Sequence, residues 1–143
     1  ATCDLALSTD DAIFSTPGVN IGLFCSTPMV ALSRNVTRKK AMKMLLTGDP
    51  VSAKHAKDIG LINDHFSNNN LEDEVVKLAE NISSKSKKIV KIGKKAFYKQ
   101  LEMPLDKAYK YTSRVMSENM MALDAKEGIS AFIEKRKPNW KDK

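Results

Sequence analysis

Four groups of side chains in this sequence have types and spacings that chemistry could use. His55 and His65 lie ten residues apart, with no Cys, Asp or Glu at a ligand spacing, which favours surface histidines over a metal centre. Cys25 sits beside Ser26 and Thr27 but has no base partner readable in the sequence, so it is not read as a nucleophile. The lysine-rich run from Lys85 to Lys99 would suit an anion, a nucleic acid or an acidic membrane. Its only aromatics are Phe97 and Tyr98, and such a run is most often a solvated helix face. The fourth group is the stretch FSTPGVNIGLFCSTP, Phe14 to Pro28, which places Gly18 directly after Pro17 and adds Asn20 and Gly22. Glycine after proline permits a tight turn, and Asn and Gly extend it, while the apolar residues of the same stretch are still spaced for packing. It reads as a tightly specified loop that follows a short buried strand.

Composition limits what such a loop can belong to. With 143 residues, 42% apolar and 29% charged, the chain has the make-up of an ordinary globular protein with one modest core. No apolar run approaches the ~20 residues needed to cross a bilayer, and no signal-peptide pattern opens the sequence, so neither a membrane partner nor secretion is expected. Cys3 and Cys25 fit no disulfide framework, which points to free thiols in a reducing compartment, the cytoplasm or the mitochondrial matrix. Charge is unevenly placed. Residues 1–84 carry 8 Lys/Arg against 10 Asp/Glu, net −2, and residues 85–143 carry 16 against 7, net +9, so an anion would meet the second part.

The elements that must position these residues follow from apolar spacing. Asp4–Ser8 and Ala12–Ser15 read as short strands around the turn Thr9-Asp10-Asp11. The first has no partner upstream, which suggests a processed start or a missing segment. A helix is expected over Thr37–Thr47, capped by Thr37, stopped by Gly48 and buried through Ala41, Met42, Leu45 and Leu46. Ser52 should cap a short helix ended by Gly60, and Leu61, Ile62 and Phe66 form an extended return. A third helix after Ser67–Asn70 should bury Val75, Leu78, Ala79 and Ile82. From Ser86 onward the pattern is helical: a stripe of Ile89, Ile92, Ala96, Phe97 and Leu101, then a helix begun at Pro104, then one capped by Asp124 with Glu127 completing a capping box. Ile129, Phe132 and Ile133 are expected to face inward there. The methionines Met116, Met120 and Met121 read as core or subunit interface.

Three stretches carry a resemblance that composition does not. TGDPVSAKHAKDIGLI (Thr47–Ile62) resembles the TG-x-x-x-SA-x-x-A-x-x-x-GL motif of the crotonase family of enoyl-CoA hydratases and isomerases. EGISAFIEKRKPNW (Glu127–Trp140) resembles that family's C-terminal motif, and CDLALSTDDAIFSTPGVNIGL its middle section. The resemblance implies the α/β crotonase-like (ClpP/crotonase) fold. This chain would supply the last strands of the core in residues 1–84, and the helical C-terminal trimerisation region, which also contacts coenzyme A, in residues 85–143.

The same resemblance implies a chemistry. Family members bind an acyl-CoA thioester and aim two backbone N–H groups at its oxygen, where negative charge develops, and hydratases add two carboxylates as base and acid. The oxyanion donors and the first carboxylate are matched upstream of Ala1. The second would follow Pro17, where this sequence has Gly18. No catalytic residue is therefore expected in the chain, and hydratase activity is not expected of it. The Pro-Gly pair and the run GLFCSTP resemble a subgroup of enoyl-CoA hydratase domain-containing proteins. Gly18, Asn20 and Gly22 are the expected substrate-lining residues. Lys135 matches a lysine that meets the nucleotide end of CoA, while Met116 stands where an assisting aromatic is common. Neither a cofactor nor a metal is expected, CoA thioester being substrate or ligand. The expected partners are acyl-CoA and copies of the same chain in a trimer or hexamer. A non-catalytic assembly module and a basic nucleic-acid binder are the competing readings, and no nucleic acid is expected.

Overall fold

Strands two or three residues long cannot hold themselves, so the chain pairs them across long connections. In the computed structural model, which describes residues 1–142, strand β1 (Leu7–Thr9) runs parallel to β4 (Asp64–Phe66) in the register Leu7–Asp64, Ser8–His65 and Thr9–Phe66. Strand β2 (Ile13–Phe14) lies antiparallel to β3 (Val51–Ser52). The two strands around the turn at Thr9 thus take different partners, and the first finds its neighbour downstream. Asn63 fixes the entry to that pair: its backbone N–H donates to the Ala6 carbonyl and its side-chain oxygen accepts from the Ala6 N–H, both at 2.7 Å. His65 Nδ1 lies 2.5 Å from Asp10 Oδ1, so at least one histidine has a carboxylate partner.

The chain divides into two compact units, Ala1–Leu78 and Ala79–Lys143. The first contains a 3-10 helix at Pro17–Ile21 and the helices α1 (Pro28–Asn35), α2 (Arg38–Thr47) and α3 (Ala53–Asp58). Helix α4 (Leu71–Ser83) spans the division. Helix α1 is absent from the sequence expectation because Pro28 reads as a loop residue. It stands instead at the helix start, where its missing N–H costs nothing. The expected terminators hold: Gly48 and Gly60 take left-handed backbone with φ of 66° and 80°. Ser52 accepts from the His55 N–H as an N-cap. The core is Leu32, Val36, Ala41, Met44, Leu45, Val51, Ala56 and Ile62. In α2 the buried stripe is Ala41, Met44 and Leu45, and the expected Met42 and Leu46 are exposed.

The second unit is built differently. Helices α5 (Lys87–Leu101), α6 (Leu105–Met120) and α7 (Leu123–Ile133) form as spaced, but their buried apolar residues are Ala96, Ala108 and Ala131 alone among the described residues of this unit. Phe97 and Leu101 are exposed, as are Val75 and Ile82 on α4. Ile129, Phe132 and Ile133 face outward rather than inward, Phe132 being 84% exposed. Periodicity finds the apolar face correctly; whether anything covers it depends on the fold.

Polar contacts do much of the joining here. Asp124 is 1% exposed and is not a cap, since Ala122 holds that position. Its carboxylate accepts the Ser86 hydroxyl and the backbone N–H groups of Lys141 and Asp142, the last two at 2.7 and 3.0 Å. Ser86 in turn caps α5 by accepting from the Ile89 N–H, and Asp142 accepts from the Lys87 N–H at 2.7 Å. The Trp140 indole donates to the Ser84 carbonyl at 2.8 Å, and its ring passes so near Gly128 that a Cβ there would lie 3.3 Å from it. Glu127 does not close a capping box either. It takes the Arg136 guanidinium in two contacts of 2.6 and 3.0 Å, and the Asn139 N–H at 2.7 Å.

These contacts, led by Arg136, hold the Glu127 carboxyl down at about 2, from an ordinary 4.5. A carboxylate depressed in the folded state stabilises it fully above its unfolded pKa, and that contribution fades as pH falls through the folded value. Acid unfolding followed by fluorescence of Trp140, the single tryptophan, should therefore lose part of its pH dependence between about 4.5 and 2 in Glu127→Gln. Parallel profiles for the variant and the parent would remove Glu127 from the acid response.

Candidate functional site

The loop expected to line a site is held closed by its own backbone. Pro17 opens the 3-10 helix, and the Gly18 N–H donates to Cys25 Sγ at 3.3 Å while the Gly18 carbonyl accepts from the Leu23 N–H at 2.9 Å. A Cβ on Gly18 would lie 2.7 Å from the Leu23 carbonyl oxygen and 2.8 Å from Cys25 Sγ. Close approach, not an unusual φ, is the reason for glycine at this position. Gly22 differs: it ends the 3-10 helix in left-handed backbone at φ 78°, with open space around it. Asn20 is exposed but turns its amide toward Gly48, where an added Cβ would meet it at 3.1 to 3.2 Å and would meet Pro17 Cα at 3.2 Å. The glycine of the TGDP stretch thus stops α2 and also gives the loop a seat.

The loop presents Ile21, Leu23 and Phe24 to the outside and contains no Asp, Glu, His or Lys between Phe14 and Pro28. Cys25 is half-buried and, like exposed Cys3, a free thiol. Such a surface can receive an apolar chain and offer backbone groups; it has no carboxyl with which to pass a proton. The carboxyls displaced from their ordinary range elsewhere are all held low. Thr9 and Asn68 act on Asp11, Lys54 on Asp58, Lys57 on Asp64, and the Ser86 hydroxyl on Asp124. None of these is kept protonated at neutral pH, as a general acid must be. No group of three or more metal-binding side chains occurs among the described residues, and no helix is long and apolar enough to cross a membrane.

Gly18, Asn20 and Gly22 are brought together within the first unit. Lys135 belongs to the second, immediately after α7. Its φ is 53°, left-handed, and it occupies the C′ position of a Schellman ending: its N–H donates to the Phe132 carbonyl and the Arg136 N–H to the Ala131 carbonyl. Glycine is the usual residue there because a side chain costs energy in that backbone. The sequence expectation omits the buried Asp124 cluster and the cationic hollow described below. Their signals are a polar residue inside an apolar helix for the first and cations at helical spacing on α6 for the second.

Short strands, a helical C-terminal region and a glycine-closed loop define an α/β protein of crotonase type. The enoyl-CoA hydratase/isomerase family model matches residues 1–143, and the chain belongs to this family. It is 51% identical over 140 residues to the mitochondrial enoyl-CoA hydratase domain-containing protein 3 of Mus musculus, covering 98% of this chain and 47% of that protein. The Homo sapiens protein of the same name is 49% identical, with 98% and 46% covered. Among solved structures, an enoyl-CoA hydratase of Mycobacterium smegmatis superposes with a TM-score of 0.92 at 49% identity, covering 96% of this chain and 54% of that one. Human enoyl-CoA hydratase domain-containing protein 3 superposes at 0.91 and 48% identity, covering 96% and 55%. The chain spans about half the length of the curated relatives it matches.

Two glycines test the close-approach account. Gly18→Ala should lower the unfolding free energy by about 1–3 kcal/mol, because the Leu23 carbonyl is backbone and cannot swing aside. Gly93→Ala, in mid-helix with nothing within 4 Å, should raise it by roughly 0.5–1 kcal/mol. Denaturant melts that moved both variants in the same direction would count against the geometry at Gly18.

Proposed function

We propose that this protein binds acyl-CoA thioesters without acting as an enoyl-CoA hydratase. The observation that carries the reading is Gly18: family resemblance puts the proton-delivering carboxylate at this position, and here the loop has closed over a residue with no side chain. Gly18, Asn20 and Gly22 then shape the thioester side of the site, and the exposed Ile21, Leu23 and Phe24 suit an acyl chain. The relatives' names include the word mitochondrial, which favours the mitochondrion as its compartment.

Lys135 is the proposed contact for the 3′-phosphate of CoA. A lysine kept where glycine would be less strained supports a use for its side chain, since strained backbone persists where function holds it. The exposed apolar residues of α6 and α7, among them Met116, Met120, Leu123, Phe132 and Ile133, favour assembly into a trimer-based oligomer. They also support the second reading, an assembly module without ligand. CoA binding separates the two.

Hydration of an enoyl-CoA, followed as loss of the conjugated thioester absorbance, should stay at the buffer rate; turnover abolished by a substitution in this chain would overturn the first proposal. In calorimetry, Lys135→Ala should weaken CoA binding by about three- to tenfold and leave the dephospho analogue, which lacks the 3′-phosphate, nearly unchanged. Lys135→Gly should weaken it as much while raising the thermal midpoint, because it relieves the left-handed strain. Equal loss for both ligands would reject the phosphate assignment. Light scattering should report an oligomer at micromolar concentration, and a strictly monomeric mass would reject assembly.

A further inference from the structure

The α5–α6 hairpin carries a hollow that the acyl-CoA reading leaves unused. It measures about 380 Å³ and is lined by Lys99 in the last turn of α5, by Met103 in the connection after it, and by Lys107, Lys110, Tyr111 and Arg114 on α6. The α6 residues stand at spacings of three and four, so a single helix face brings them together. Four cations and no carboxylate form the wall. Met103 and Tyr111, both half-buried, supply an apolar floor. The Lys99 ammonium sits 4.9 Å from the centre of the Tyr111 ring and covers that face, so a base that takes the face must displace it. Arg114 meets a carboxylate only at 3.8 Å, from Glu118 one turn further on, and both side chains are largely exposed.

Like charges gathered around one concave site repel each other, and that cost is relieved by an anion with several charges close together. A volume of this size suits a nucleoside-sized body and is too small for a nucleic-acid duplex. We propose that this hollow is a binding site for a nucleoside polyphosphate: the phosphates meet Lys107, Lys110, Arg114 and the displaced Lys99 ammonium, and the base lies against Tyr111 and Met103. Lys135, assigned above to CoA, takes no part.

The test uses the 143-residue chain with ADP and inorganic tripolyphosphate as calorimetric probes at low salt. Both should bind. Lys107→Glu with Lys110→Glu, exposed substitutions checked for folding by circular dichroism, should weaken both by about tenfold or more, since each charge-assisted contact is worth at least about that factor. Tyr111→Leu should weaken ADP several-fold and leave tripolyphosphate unchanged, because stacking on an aromatic ring concerns only the base. Lys135→Ala and Lys40→Ala should leave both titrations as they were.

The proposal is overturned by absence of binding, by binding that ignores the Lys107 and Lys110 changes, or by loss confined to Lys135→Ala. It is also overturned if a single-stranded oligonucleotide binds across this face more tightly than ADP and shows no dependence on Tyr111. That outcome would make the cations an extended track for a nucleic-acid backbone. Because Lys135→Ala separates the two phosphate sites, failure here and failure of the CoA reading give different results.

Discussion

A single buried carboxylate holds the second unit together. Asp124 is enclosed where three chain segments meet, the start of α5, the start of α7 and the tail, and it receives a donor from each of two of them while sitting on the third. Burying a charge is costly unless hydrogen bonds compensate it, and here a hydroxyl and two backbone N–H groups do so, with both carboxylate oxygens accepting. The three helices bury only alanines besides, so apolar packing within this unit is thin and polar geometry must set where the helices begin. Ser86 is the connecting residue: one oxygen caps α5 and donates to Asp124.

This arrangement gives the C-terminal family stretch a physical meaning separate from ligand binding. In EGISAFIEKRKPNW, Glu127 grips Arg136 and the Asn139 N–H, Gly128 makes room for the Trp140 ring, and Trp140 reaches the Ser84 carbonyl. Most of the stretch folds the tail back over α7. Lys135 is the exception, projecting from strained backbone between residues with structural duties. Its neighbour Arg136, by contrast, is committed to Glu127 and Glu134, which raise its pKa further and keep it from acting as a freely available charge.

The first unit solves a different problem. Its short strands pair only in twos, and an apolar core drawn mainly from α1, α2 and α3, with Val51 of β3, supplies what the strands lack. The 3-10 loop rests on the end of α2, with Pro17 and Asn20 against Gly48, and its Gly18 is locked by Cys25 and Leu23. A side chain at residue 18 would require the loop to open. The same close approach that shapes the surface leaves no room for a side chain at residue 18.

Helix α2, the Ser52 cap and the stops at Gly48 and Gly60 were legible in the sequence because caps and left-handed glycines are local chemistry, decided within a few residues. The stripes of α5 to α7 were legible as periodicity for the same reason, and so was the family, whose stretches keep their order along the chain. Burial was not. Phe132 and Ile133 have the spacing of core residues and stand exposed, because periodicity names an apolar face without naming what covers it. Asp124 looked like a cap and became the buried centre of a cluster, since its partners Ser86, Lys141 and Asp142 are remote in sequence and only folding brings them within reach. Glycine at 18 was readable as a turn residue. That it is glycine because a carbonyl and a sulfur stand under 3 Å from its missing side chain was decided by the tertiary structure alone, since such a distance depends on how the whole loop closes.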